Sequence, residues 1–301
     1  MIQTENLLGI SVIVPTYNRS RLLDFTLHSL AIQNLPKSCF EVLVVDDGSS
    51  DNTREVVENY QNHLNIRYYF QEDKGYRPGS ARNIGIMNAS SNLCMLVDSG
   101  VLLGSDCVGS HLRFHTETGQ NVALLGYVYG LYDDTYSRNQ LEKMIDPYLP
   151  TESIAKLKAD KISPDIREKQ YQKYNDTIFD LPAPWVMFLS CNVSVNRDRL
   201  IEVGMFDEKF DGRWGCEDND LGFRLHKHGT KIMLCRDAEA VHFPHDGDTA
   251  AKVQQGYNNC IYFNSKHQTE ETNLFLKHYK EIAISESIDI NEIILSGLAF
   301  S

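Results

Sequence analysis

Between residues 10 and 97, short apolar runs rich in β-branched residues alternate with stretches of helical spacing. That alternation admits few architectures. ISVIV (10–14), closed by Pro15, reads as a first strand, and FEVLVVDDGSS as a second, stopped by Asp46-Asp47-Gly48-Ser49. NIRYYFQ and LCMLVD follow as third and fourth strands. Between them lie helical segments. RSRLLDFTLHSLAIQ carries Leu22, Leu23, Leu27 and Leu30 on one face. DNTREVVENYQ has Ser50 or Asp51 as its N-cap, and GSARNIGIMNAS opens on small residues. Near-continuous apolar strands separated by helices predict an α/β fold with a doubly wound, mostly parallel sheet covered on both faces.

Past residue 105 the rhythm weakens. VALLGYVYGLY is a further strand. Residues 132–182 are polar and rich in Tyr and Lys, with helical patches at TESIAKLKAD and DIREKQYQKY. A segment of that length between strands reads as a lid, an acceptor-side insertion or a flexible excursion. PWVMFLSCNVSVNRDRLIEVG returns to strand and then helix, KIMLCRDAEAVHF is a late strand, and the chain from 249 on is mostly helical.

The 301 residues allow one large domain or two modest ones. A net charge of −12 argues against a nucleic-acid partner and against strong attraction to anionic lipid. The seven cysteines are widely spaced, odd in number and lack a C-x-x-C, so they read as buried free thiols rather than a disulfide frame or zinc site. No apolar run is long enough for a transmembrane segment, and MIQTENLLGI has no signal-peptide pattern. These features together predict a cytoplasmic protein.

Four stretches carry chemistry. At the ends of the first two strands, Tyr17 can stack on a base and Asp47 can accept from a base N–H, although Asp and Ser there also serve as helix caps. In GYRPGSARN, Arg77 and Arg82 flank Pro78-Gly79-Ser80 at a helix start, which suits a phosphate and equally suits a solvated turn. In LVDSGVLLG, Asp98 ends a buried strand. In WGCEDNDLGFRL, Glu217, Asp218 and Asp220 follow Trp214 and Gly215. Acids at a helix start complement its dipole, but an aromatic-glycine platform beside a carboxylate also suits a sugar face and a hydroxyl proton.

Taken in order over residues 10–245, SVIVPTYNR, VLVVDDGSSDNT, PGSARNIGI, LVDSG, VGMFDEKF, WGCEDNDLGFRL and HFPH resemble the inverting glycosyltransferases of family 2. These have the GT-A nucleotide-diphospho-sugar transferase fold, and the last long block is similar to their galactosyltransferase-like branch. The resemblance implies a GT-A domain over 1–248, with a nucleotide-binding half (1–105), an acceptor half (106–248) containing the helical insertion, and a helical tail (249–301) packed on the domain. It implies transfer of a hexose or N-acetylhexosamine from a UDP-sugar to an acceptor hydroxyl, on a glycan, lipid-linked, peptide or small-molecule acceptor. Pro15, Tyr17, Arg19 and Asp47 then match the nucleotide pocket, with Arg77, Arg82 and Asp98 on the donor side. Asp218 matches the general base. Glu217 matches an acceptor-holding acid, with Trp214 and Gly215 lining the acceptor. His245 or His242 matches a metal ligand beside Asp98. His226 and His228, near the end of the following helix, read as structural.

One departure stands out. The family's Asp-any-Asp pattern is Asp98-Ser99-Gly100 here. Three readings stay open. Asp98 and a late histidine hold Mn2+ or Mg2+ with phosphate and water completing the shell; or Arg77 and Arg82 do the charge work without a metal; or the protein is a catalytically weak relative that only binds nucleotide sugar. A sugar-nucleotide pyrophosphorylase shares the α/β layout, but VPTYNR does not look like its glycine-rich basic loop.

Overall fold

The computed structural model describes residues 9–119, 121–131, 136–245, 249–285 and 288–297. Eight strands form one sheet: β1 (Ile10–Thr16), β2 (Phe40–Asp46), β3 (Ile66–Phe70), β4 (Leu93–Val97), β5 (Val101–Leu103), β6 (Val122–Tyr129), β7 (Asn192–Asn196) and β8 (Lys231–His242). Their order is β3-β2-β1-β4-β7-β6-β8-β5. The first four strands are parallel. β7 runs antiparallel to β4 and β6, β8 is parallel to β6, and β5 is antiparallel to β8. Side-chain alternation splits the interior between the two faces. Ile13, Leu43 and Leu96 join one cluster with Trp185 and Phe188, while Val12, Val14, Val42, Val44 and Met95 join the other with Leu23, Leu27 and Leu30. All seven cysteines are free and six are buried.

Two details differ from the sequence reading. β1 does not stop before Pro15 but continues in register with β2 to Thr16. Its pairing with β4 spans only Ser11–Ile13, so no ladder donor is needed on that side at the proline. The second helix starts at Thr53, with Asn52 at the N-cap position. Asp51 still accepts from the Thr53 N–H (3.1 Å) and also ties in Ser20 (2.9 Å). LVDSGVLLG turns after Asp98, as its sequence predicts. Gly100, at φ 100°, turns the chain between β4 and β5, a conformation that favours glycine.

The polar segment is no loose excursion. It forms helices at Arg138–Met144, Pro150–Asp160 and Glu168–Lys173, and Leu157 and Tyr171 are fully buried. β6 and β8 shift register at Gly126/Tyr127. There the Asp165 carboxylate accepts the Val128 N–H (2.8 Å), and Arg167 donates to the Gly126 carbonyl (3.1 Å) while pairing with Asp165 (2.6 Å). A buried ion pair that satisfies backbone groups at a bulge in this way fixes the insertion to the sheet.

Two core histidines bear on stability. His111 Nε2–H donates to Asn192 Oδ1 (2.9 Å), so its Nδ1 accepts from the Ser194 hydroxyl (2.7 Å), and His115 Nε2–H donates to that same oxygen (2.9 Å). Burial pushes both imidazoles down to about 4. The unfolded chain therefore binds protons below about pH 6.5 that the native state refuses. Stability should fall from pH 6.5 to 4, by on the order of 3 kcal/mol per histidine at the acid end. Urea midpoints measured across that window test this. A flat profile, or an unchanged slope in a His111→Gln/His115→Gln variant, would refute it.

Candidate active site

The carboxyl ends of β1, β2 and β4 open on one side of the sheet, where the helices Pro78–Asn88 and Glu217–Lys227 begin. Open α/β sheets bind ligands at such crevices. At the first corner, Asp47 Oδ1 accepts from Gln71 Nε2 (2.6 Å) and from Arg77 Nη2 (2.9 Å), and Oδ2 accepts the Arg77 N–H (2.8 Å). Burial nonetheless raises the Asp47 carboxyl above its ordinary range. Tyr17 is exposed, and its hydroxyl donates to Asp73 (2.8 Å), which fixes the ring at the mouth of this corner.

The two arginines of GYRPGSARN do not converge on one spot. Arg77 is spent on Asp47 and on the Glu72 carbonyl. Arg82 instead lies beneath the cleft, 5% exposed, with Nη2 at 2.8 Å from Asp98, and Nη1 at 3.8 Å from Glu217 and 4.0 Å from Asp218. Its guanidinium also sits 5.2 Å from the centre of the Phe206 ring. Burial opposes its charge, yet Asp98, Asp218 and Glu217 together hold it above the usual arginine range. Arg82 is thus the shared counter-ion of three carboxylates, and the expectation of two arginines poised for one phosphate is corrected.

Glu217 and Asp218 lie in the first turn of their helix. The turn before it has two left-handed residues, Gly215 (φ 94°) and Cys216 (φ 67°). A Cβ on Gly215 would sit 3.2 Å from the Gly256 Cα. The helix Thr249–His267 holds this turn, with Gln255 accepting the Trp214 N–H (3.0 Å) and Asn259 donating to the Gly215 carbonyl (2.9 Å). Trp214 is half-buried, with Lys252 Nζ 6.0 Å from its ring centre. Asp218 Oδ2 accepts the Ser190 N–H (3.1 Å). Burial, then the neighbouring Asp218 charge, pushes the Glu217 carboxyl up to about 8 against the pull of Arg82. Burial raises Asp218 too. Burial thus favours a proton on this pair of acids, and the deeper Glu217 is its better home. Asp220 belongs elsewhere. Fully buried, it pairs with Arg224 (2.7 Å), Lys266 (2.9 Å) and His267 (2.7 Å).

Antiparallel pairing of β5 with β8 sets Val101 opposite His242, and the Phe243 N–H donates to the Gly100 carbonyl (2.8 Å). The Asp98 turn and the HFPH segment therefore share one rim. The His242 and His245 ring centres are 5.1 Å apart. Burial pushes His242 down to about 3 and His245 down to about 4, so both are neutral at pH 7, as metal ligands must be. Among the described residues no group of three His, Cys, Asp or Glu is placed to hold a metal by itself. Asp98 has one oxygen on Arg82, and the Arg19 guanidinium lies 3.3 Å from His245 Nε2. The donor set is one carboxylate oxygen and imidazole nitrogen. It fits a divalent ion that takes most of its shell from phosphate and water, and it does not fit a closed all-protein site.

Eleven buried side-chain nitrogen or oxygen atoms among the described residues lack a hydrogen-bond partner. Seven belong to this cleft: Thr16 Oγ1, Arg77 Nε, Arg82 Nε and Nη1, Ser190 Oγ, Glu217 Oε2 and Asp218 Oδ1. Buried polar atoms are rarely left so, and their concentration here marks where a polar ligand is received. Sequence reading passed over Gln71, Asp73 and Ser190. They lie outside the recognisable blocks and act through contacts between distant segments.

Comparison with known proteins agrees with this geometry. A profile described as Glycosyl transferase family 2 matches residues 11–203, and one described as N-terminal domain of galactosyltransferase matches 176–246. The chain is 39% identical over 266 residues to validoxylamine A glucosyltransferase from Streptomyces hygroscopicus subsp. jinggangensis, covering 88% of this chain and 63% of that protein. It is 32% identical over 240 residues to chondroitin synthase from Escherichia coli, covering 78% and 34%. The chain thus spans less than two thirds of these relatives. Among solved structures, Staphylococcus aureus TarS 1-349 in complex with UDP-GlcNAc superposes with a TM-score of 0.63 at 18% identity, covering 93% of this chain and 74% of that one. A mannosyltransferase from Pyrobaculum calidifontis in complex with GDP-Man and Mn2+ gives 0.59 at 17%, covering 97% and 80%. At these identities the likeness speaks for the fold, which is GT-A. With a family profile spanning most of the sheet and its motifs in order, the chain belongs to glycosyltransferase family 2.

Proposed function

We propose that the protein transfers a hexose or N-acetylhexosamine from a nucleotide-diphosphate sugar, UDP-linked, to an acceptor hydroxyl with inversion. The observation that carries this is the Glu217–Asp218 pair over Arg82, with its unpartnered oxygens lining the cleft. Relatives named glucosyltransferase and N-acetylglucosaminyltransferase support the sugar class.

Asp218 is the general base. It is the less buried of the two acids, its geometry is fixed by the Ser190 N–H, and Glu217 takes the shared proton and leaves it ionised. Protonated Glu217 can then donate a hydrogen bond to the acceptor. One base opposite the leaving group suffices for a single inverting displacement, with no carboxylate nucleophile on the other face. Tyr17 and Asp47 receive the base of the nucleotide, with Pro15 and Thr16 as the floor. Trp214 and Gly215 line the acceptor, held by the tail helix. Asp98 with His242, and His245 once Arg19 moves aside, would hold a divalent ion whose charge offsets that of the departing diphosphate. Among the described residues no helix is long and apolar enough to cross a membrane.

A thermal-shift screen tests the donor reading. UDP or a UDP-sugar should raise the melting temperature, since a ligand at 100 times its Kd adds about 2.7 kcal/mol to native stability. Mn2+ or Mg2+ should enlarge that shift and EDTA should shrink it. Absence of a shift with every nucleoside diphosphate, with or without metal, would sink the proposal.

A further inference from the structure

In GYRPGSARN the structure finds partners for both arginines, but leaves Tyr76 42% exposed at the edge of the cleft. Its backbone is pinned on both sides. The Tyr76 carbonyl accepts the Gly212 N–H (2.7 Å), two residues before Trp214, and the N–H of the next residue donates to Asp47 (2.8 Å). The tyrosine therefore bridges the nucleotide corner and the loop that leads into the acidic pair. Six residues after Tyr76, Arg82 reaches Asp98, Glu217 and Asp218. Packing around the Tyr76 phenol, then the acidic side of the cleft with Glu217 foremost, raises it well above its ordinary range, so it remains a hydrogen-bond donor.

A pyranose has an apolar C–H face and a rim of hydroxyls. An aromatic ring open to a cleft covers the first, and a phenol among carboxylates meets the second. We propose that Tyr76 is a wall of the pocket for the transferred sugar, with its ring against the sugar face and its hydroxyl toward the Glu217–Asp218 side. The proposal rests on the reading that a nucleotide sugar occupies the cleft. It adds a residue that reads the sugar rather than the nucleotide.

Titration calorimetry of the full chain with UDP, UDP-glucose and UDP-N-acetylglucosamine, in Mn2+ buffer, separates the two. Tyr76→Ala should weaken whichever sugar nucleotide the wild type prefers by about tenfold, the scale of one lost aromatic contact, and leave UDP within about twofold. Tyr76→Phe keeps the ring and should retain most of the sugar-dependent affinity. Equal weakening of UDP and UDP-sugar would show that Tyr76 merely shapes its loop, and no weakening of either would show that it touches nothing; each overturns the inference. A wild-type protein that binds none of the three would instead overturn the donor reading, and the inference with it.

Discussion

Asp218→Asn should lower the turnover number for sugar transfer by about 10^2- to 10^4-fold, the usual worth of a positioned general base. The amide keeps the size of the carboxylate and can still face the Ser190 N–H through its oxygen, so the helix start should stay folded. Affinity for the nucleotide sugar should change little, because the base acts on the acceptor. The informative comparison is Glu217→Gln. If Glu217 is the protonated partner, its neutral amide mimics it, and the variant should keep far more activity than Asp218→Asn. Initial rates and donor affinity on both variants decide the matter. The reverse ranking would exchange their roles, and near-wild-type turnover in Asp218→Asn would remove the base from this pair altogether.

Arg82→Gln should be damaging in a different way. Removing the guanidinium leaves the buried Glu217 and Asp218, and the more exposed Asp98, without their counter-ion, and stripping one partner from a buried charge set costs about 3–5 kcal/mol. The Glu217 and Asp218 carboxyls should rise together, because an opposite charge no longer favours ionisation. The sign for catalysis follows. With the base protonated over more of the neutral range, the acid limb of the pH–rate profile moves upward, by about one unit or more. Arg82→Lys keeps a charge but loses the planar fork, and should fall between. Urea unfolding and pH–rate profiles of both variants measure the two effects. A stable Arg82→Gln protein with an unshifted acid limb would contradict the shared counter-ion.

Much of the fold up to residue 105 was legible because its signals are local. Strand, turn and helix follow within thirty residues, and VVDD and ARN sit where such turns place side chains. The fold beyond residue 105 was less so. The Asp165–Arg167 pair makes sense only beside the register shift at Gly126, and a bulge leaves no periodic mark. Arg77 looked like a phosphate ligand because its sequence neighbours are small; what claims it is Asp47, thirty residues away. His111 and His115 show a helix face in sequence but not that Ser194 and Asn192 wait on β7. The Asp98 departure was visible at once. Its place on one rim with His242 was implied only by the family resemblance and had no local signal, because β5 pairs with a strand that ends more than a hundred residues later.

That pairing has a consequence for how the Asp98 end of the cleft tolerates change. The spacing between the Asp98 turn and His242 is metered by peptide hydrogen bonds of a three-residue ladder, and not by the fit of core side chains. Repacking the interior can loosen the sheet without altering that gauge. A slip of one residue along the ladder cannot be absorbed, because it would turn His242 to the opposite face and exchange an imidazole for the methyls of Val241.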